Sequence, residues 1–141
     1  MERSYVMIKP DGVRRGLVGE IISRIERKGY NIDNIKMAEV SKELCAQHYA
    51  HLTDKPFYPE IEEYITGGKV VCMIISGERA VEGMRQILGA TDSFKAEVGT
   101  IRGDYATSKT YNLCHASDSP ENAEIEIKRF FGKTRRKICT N

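Results

Sequence analysis

Val70-Val71-Cys72-Met73-Ile74-Ile75-Ser76 is apolar at six successive positions before its first hydroxyl. A strand without polar alternation is one that is covered on both faces. Six apolar residues are also far too few to span a bilayer. Downstream, Arg79 to Leu88 is amphipathic, with Val81, Met84 and Leu88 on one side. Gly89 to Thr110 follows with little periodicity, and a loop that long inside a domain is usually functional or disordered. Tyr111 to His115 is a short extended segment. Pro120 to Phe131 is a helix, with Ser119 or Asp118 as its N-cap.

Upstream, Tyr58 to Ile65 reads as a helix before Gly67-Gly68, and Ser41-Lys42-Glu43 opens another through about His51. Ile32 to Val40 reads as a strand. Ser4 to Lys9 is a β-rich run stopped by Pro10-Asp11-Gly12, a turn signal. Leu17, Val18, Ile21, Ile22 and Ile25 then recur at helical spacing up to Gly29, a C-terminal cap. Without the small helices the order is βαββαβ. That order predicts an α+β, ferredoxin-like sandwich: a four-stranded antiparallel sheet with helices on one face and a long loop before the last strand. The arrangement hosts many unrelated functions and does not choose a chemistry.

The 141 residues fit one domain, 1–131, followed by a basic C-terminal tail, 132–141. A net charge of +2, concentrated in Lys133-Thr134-Arg135-Arg136-Lys137, is too mild to mark a nucleic-acid binder. Cys45, Cys72, Cys114 and Cys139 form no CxxC pair and read as reduced thiols. The charged start Met1-Glu2-Arg3-Ser4 leads straight into a strand, so no signal peptide and a cytoplasmic location are expected.

Asn112-Leu113-Cys114-His115-Ala116-Ser117-Asp118 places an imidazole where a strand ends and a helix begins, a setting that favours phosphate. Histidine can act as a covalent nucleophile when its reacting nitrogen is unprotonated and a partner holds its ring. Glu126 borders the apolar stripe Ala123, Ile127, Phe130 and Phe131, and a carboxylate there needs a partner such as an imidazole N–H. Gly99-Thr100-Ile101-Arg102-Gly103-Asp104 sets an arginine between glycines, which let backbone approach a ligand. Arg85 sits beside the apolar face of its helix just before the long loop, Thr91 lies at the loop's start, and Lys9 ends the first strand as the chain turns. Phosphoryl transfer needs such cations to converge on a phosphate. Gly132-Lys133-Thr134 only superficially resembles a P-loop, since Ile127 stands where that motif needs glycine. His48 and His51 are spaced to share a metal but lack an evident third ligand.

Ile8-Lys9-Pro10-Asp11-Gly12, the Gly99–Asp104 stretch and Asn112-x-x-His115-Ala116-Ser117-Asp118 together resemble the three signature stretches of nucleoside diphosphate kinases. The resemblance runs from about Glu2 to Phe131. It implies that His115 accepts the phosphoryl group in a ping-pong reaction, with Glu126 and Ser117 orienting and supporting it. It further implies that Arg85, Thr91 and Arg102 hold phosphates bridged by Mg²⁺, while Lys9 and Asn112 meet the sugar. Phe57 would stack on the base, giving broad base specificity, and Tyr49 would lie close to the nucleophile. Nucleoside tri- and diphosphates are the implied substrates, and a homo-oligomer is implied, a hexamer ahead of a tetramer. Asp92 to Val98 lacks the prolines usual in that family's subunit-contact loop. An idle nucleotide-binding module would have lost His115 or an arginine, and neither is lost. An RNA-binding domain of this topology would need aromatics on its central strands, and Val70 to Ile75 has none.

Overall fold

In the computed structural model, which describes residues 1–132, every residue from Val70 to Gly77 is buried. The chain runs β1 (Glu2–Ile8), α1 (Pro10–Arg14), α2 (Val18–Lys28), β2 (Asn31–Glu39), α3 (Lys42–His48) and α4 (Tyr58–Thr66). It continues through β3 (Lys69–Gly77), α5 (Ala80–Leu88), α6 (Ile101–Tyr105), β4 (Cys114–Ala116) and α7 (Pro120–Phe131). The expected basic tail, from Lys133 onward, lies outside the described residues, as does Cys139.

The four strands form one sheet in the order β2-β3-β1-β4, and every neighbouring pair is antiparallel. This is the ferredoxin-like order that βαββαβ predicts. The helices, however, cover both faces. Val71, Met73 and Ile75 of β3 join Val6 and Ile8 of β1 against Ile21 and Ile25 of α2 and Met84 and Leu88 of α5. The alternate residues Val70, Cys72 and Ile74, with Tyr5 and Met7, pack against Cys45, Tyr58, Tyr64, Ile65, Ile127 and Phe130 of α3, α4 and α7. Side chains alternate across a strand, so a run apolar at every position requires two cores.

Local chemistry moves several boundaries. Pro10-Asp11-Gly12 does not merely turn the chain; Pro10 starts α1, where its missing N–H costs nothing. The helix opened by Ser41, whose hydroxyl accepts from Leu44 N–H at 3.1 Å, stops at His48 and gives way to a 3-10 turn at Ala50–Leu52. Ser119, not Asp118, caps α7 by accepting from Asn122 N–H at 3.1 Å. The long loop holds α6, capped by Thr100 Oγ1, which accepts from Gly103 N–H at 3.0 Å.

The glycines flanking Arg102 serve the chain's own packing more than ligand approach. Gly99 has φ of 101°. A Cβ on Gly103 would stand 1.9 Å from the carbonyl oxygen of Glu97. That oxygen is backbone and cannot swing away. Gly103→Ala should therefore lower the unfolding free energy by about 1–3 kcal/mol, the usual cost of overpacking. Urea unfolding checks this, and unchanged stability would mean that the loop shifts freely.

Candidate active site

His115 lies within β4, opposite Met7 of β1. Its neighbours Cys114 and Ala116 enter the core beneath α2 and α5, so alternation turns His115 the other way, toward α7. The residue before Cys114 is strained: Leu113 is fully buried with φ of 77°, a left-handed conformation that disfavours a bulky side chain. Three hydrogen bonds hold this stretch. Leu113 N–H donates to Asp11 Oδ2 at 3.2 Å, Lys9 N–H donates to Leu113 O at 2.8 Å, and the Tyr64 hydroxyl donates to Asp11 Oδ1.

Glu126 projects from α7 and is only 8% exposed. Its Oε1 accepts from the Ser117 hydroxyl at 2.6 Å. Ser117 Oγ itself accepts from Tyr5 N–H at 2.9 Å, which ties the pair to β1. Glu126 Oε2 lies 2.8 Å from His115 Nε2, close but off the ring's N–H axis, so the contact is short without being a well-aligned hydrogen bond. At that separation a modest rotation of the ring is enough to align the pair. His48 stands edge-on to His115, ring centroids 4.6 Å apart, with Nδ1 3.6 Å from Glu126 Oε2. Arg129 Nη1 is 3.2 Å from that same Nδ1. Burial and then the nearby His115 push His48 down to about 2, so it is neutral at ordinary pH.

His48, His115 and Glu126 thus bring three donor atoms within 4.8 Å of one another. His51 is exposed and outside this group. A metal among them would sit against the Arg129 guanidinium, so the cluster reads as a hydrogen-bonding group. Cys114 precedes the imidazole, and burial pushes its thiol up to about 12, which leaves it no nucleophile.

A cavity of about 500 Å³ opens in front of His115, lined among others by Lys9, Tyr49, Arg85, Thr91, Arg102 and Asn112. A second hollow continues from Lys9, Tyr49, Thr91 and Asn112 to Phe57, which is 50% exposed. The cations differ in kind. Arg102 is buried and donates to three backbone carbonyls: Cys114 O at 2.6 Å, Gly89 O at 3.0 Å and Asn112 O at 3.3 Å. Arg85 is exposed, with no hydrogen bond or ion pair holding it among the described residues. Lys9 Nζ donates to Asn112 Oδ1 at 2.8 Å, while Asn112 Nδ2 donates to the carbonyls of Thr91 and Lys109. Burial, and then Arg102, lower Lys9 to about 8.

Residues 2–136 match the sequence profile described as Nucleoside diphosphate kinase. The chain belongs to the nucleoside diphosphate kinase family. It is 53% identical over 131 residues to the nucleoside diphosphate kinase of Acetivibrio thermocellus, covering 93% of this chain and 96% of that relative. The apo crystal structure of nucleoside diphosphate kinase from Encephalitozoon cuniculi is 43% identical with a TM-score of 0.91, over 94% of this chain and 90% of that one. The Halobacterium salinarum nucleoside diphosphate kinase in complex with CDP is 45% identical with a TM-score of 0.89, covering 92% and 87%. The chain is accordingly an enzyme, a phosphotransferase acting between nucleoside tri- and diphosphates.

All ten residues singled out in the sequence line these two connected hollows or, for Ser117, brace their wall. The helix-start reading of His115 needs correction: α7 begins five residues later, its first N–H groups met by the Ser119 cap. Sequence reasoning missed the roles of three residues, among them His48, which it weighed only as a metal ligand. His48 and Arg129 were hidden because their partners lie far along the chain. Asp11 stood in a quoted motif, and its burial between Leu113 and Tyr64 gives it a purpose. Asp11→Ala leaves the Leu113 N–H and the Tyr64 hydroxyl without partners. Chemical denaturation should register a loss of about 1–3 kcal/mol for each stranded group. A loss below that range would mean that water replaces the carboxylate.

Proposed function

We propose that His115 is the phosphoryl-accepting nucleophile of this kinase and reacts through Nδ1. The observation that carries this reading is the 2.8 Å approach of Glu126 to Nε2, which leaves Nδ1 as the nitrogen with an open lone pair. Nδ1 attacks the terminal phosphorus of a nucleoside triphosphate, a P–N bond forms, and the bridging P–O bond breaks. The diphosphate leaves with the electron pair. The ring gains positive charge as it bonds, and the Glu126 carboxylate offsets it. Ser117 holds the other carboxylate oxygen, so Glu126 is aimed before the substrate arrives. A second nucleoside diphosphate then takes the group by the reverse path.

Arg85, Thr91 and Arg102 are assigned to the phosphates. Arg85 is free to reach them, and the buried Arg102 acts mainly by fixing Gly89, Asn112 and Cys114 around them. Lys9 and Asn112 are assigned to the sugar, Phe57 to stacking on the base, and Tyr49 to the wall beside His48. Stacking accepts any base, which supports broad specificity. The CDP bound to the Halobacterium relative supports a nucleoside diphosphate as ligand.

Mg²⁺ fits this site as a cation carried in by the substrate. It takes oxygen ligands and commonly binds through phosphates with one or two carboxylates. Asp118 is an exposed carboxylate on the cavity wall, steadied by Asn122 Nδ2 at 2.6 Å and held below the usual carboxylate range by that bond. When bound, the ion neutralises phosphate charge. We further infer a homo-oligomer, a hexamer ahead of a tetramer. The outer strand β2 leaves Ile35 and Met37 exposed, and the loop before α6 exposes Phe94 and Val98. A cytoplasmic setting suits the buried, free Cys45, Cys72 and Cys114. Among the described residues, no helix is long and apolar enough to cross a membrane.

Intact-protein mass after brief mixing with Mg-ATP should reveal one phosphoryl adduct that GDP removes and that His115→Asn never forms. No adduct on the native protein would sink the assignment. Lys9 adds a pH test. Its charge is present below about 8 and lost as pH rises through that value. The KM for nucleotide should therefore climb above that pH, and Lys9→Met should abolish the inflection. A Lys9→Met variant with the native KM profile would remove Lys9 from the binding set.

A further inference from the structure

Glu126 and Arg129 are three residues apart on α7 and share a face, a spacing at which opposite charges usually pair. They form no ion pair. Arg129 instead reaches past the carboxylate to His48, with Nη1 3.2 Å from Nδ1. A guanidinium has only donors and keeps its charge, so the ring nitrogen it meets must accept. His48 therefore carries its proton on Nε2. Its Nδ1, 3.6 Å from Glu126 Oε2, has no proton to offer that oxygen.

We propose that Arg129 is a positioning residue for phosphoryl transfer: by donating to His48 Nδ1 it reserves the Glu126 carboxylate for His115. The inference rests on the assignment of His115 as nucleophile and adds a residue to it. Without Arg129 the neutral His48 ring is free to change tautomer and donate from Nδ1 to Glu126 Oε2. It also becomes easier to protonate. Either change draws the carboxylate away from His115 Nε2, 2.8 Å away on the other side.

The surroundings of His48 explain why one cation matters so much. The ring is 8% exposed and packed edge-on to Tyr49, Phe130 and His115, with Tyr5 beyond at 6.3 Å. The ionisable groups facing it are His115 from β4, Arg129 and Glu126 from α7, Lys9 at the end of β1 and His51 from the 3-10 turn. Burial, His115, Arg129, Lys9 and His51 all lower its proton affinity, in that order. Of the cationic groups, Arg129 is the one in hydrogen-bond contact with the ring.

Two variants and one spectrum test this. In the native protein, ¹⁵N spectra of the imidazoles should place the His48 proton on Nε2. In Arg129→Met, the acid limb of the kcat/KM profile should move to higher pH by about one unit or more, the effect of losing one close charge. The nucleotide KM should stay unchanged, and Arg129→Lys, which keeps a charged donor, should restore the native profile. An Arg129→Met profile that matches the native one overturns the proposal. So does a loss equal at every pH, which a merely structural role would give, or a native His48 protonated on Nδ1. A native protein that forms no phosphohistidine would instead defeat the assignment of His115, and the His48 spectrum would still decide the tautomer.

Discussion

The carboxylate of Glu126 is buried between β4 and α7, and a buried carboxylate must be met by donors or lose its charge. The Ser117 hydroxyl meets one oxygen and His115 Nε2 approaches the other. Ser117 is in turn fixed by the backbone of Tyr5, and Tyr5 stacks on Phe130 at 4.6 Å, one helical turn beyond Glu126. The charge is thus held by β1, β4 and α7 at once. This is what holds a strand histidine at the cavity wall with Nε2 beside the carboxylate, and it explains why Ser117 is fully buried in a stretch that otherwise borders the site.

Much of the remaining machinery spends its hydrogen bonds on backbone. Arg102 occupies three carbonyls, Asn112 two, and Asp11 holds the N–H of a left-handed leucine. Together these contacts tie the segment leading into β4 to α6, to the end of α5, to the long loop and to α1. A strand of three residues has little ladder energy of its own, so its position depends on these braces. Residues that look like ligand contacts in the sequence therefore double as the frame of the site.

The sheet was legible in the sequence because β3 is apolar from Val70 to Ile75 and β1 from Tyr5 to Ile8, and the βαββαβ order fixes its topology. The second helical layer was not. Its aromatic residues, Tyr58, Tyr64 and Phe130, mark helices but do not say which face of the sheet they cover. The helix α6 was hidden by its five-residue length and by Gly103, whose reason is a carbonyl from Glu97. The family's motifs brought out His115, Lys9 and Arg102, and the structure gathers them around one cavity. The link from His48 to Arg129 could not be read, since α3 and α7 meet only when the chain is folded. A pair of histidines on one helix suggests a shared metal, while the folded chain pairs one of them with a guanidinium.

β4 is one of the two edge strands of the sheet, paired there with β1 among the described residues. The His115 ring consequently lines the cavity from the edge of the sheet. Cys114 and Ala116 on either side of His115 share their core with Ile21 and Ile25 of α2, so a change in packing beneath that helix is felt by the strand that carries the imidazole.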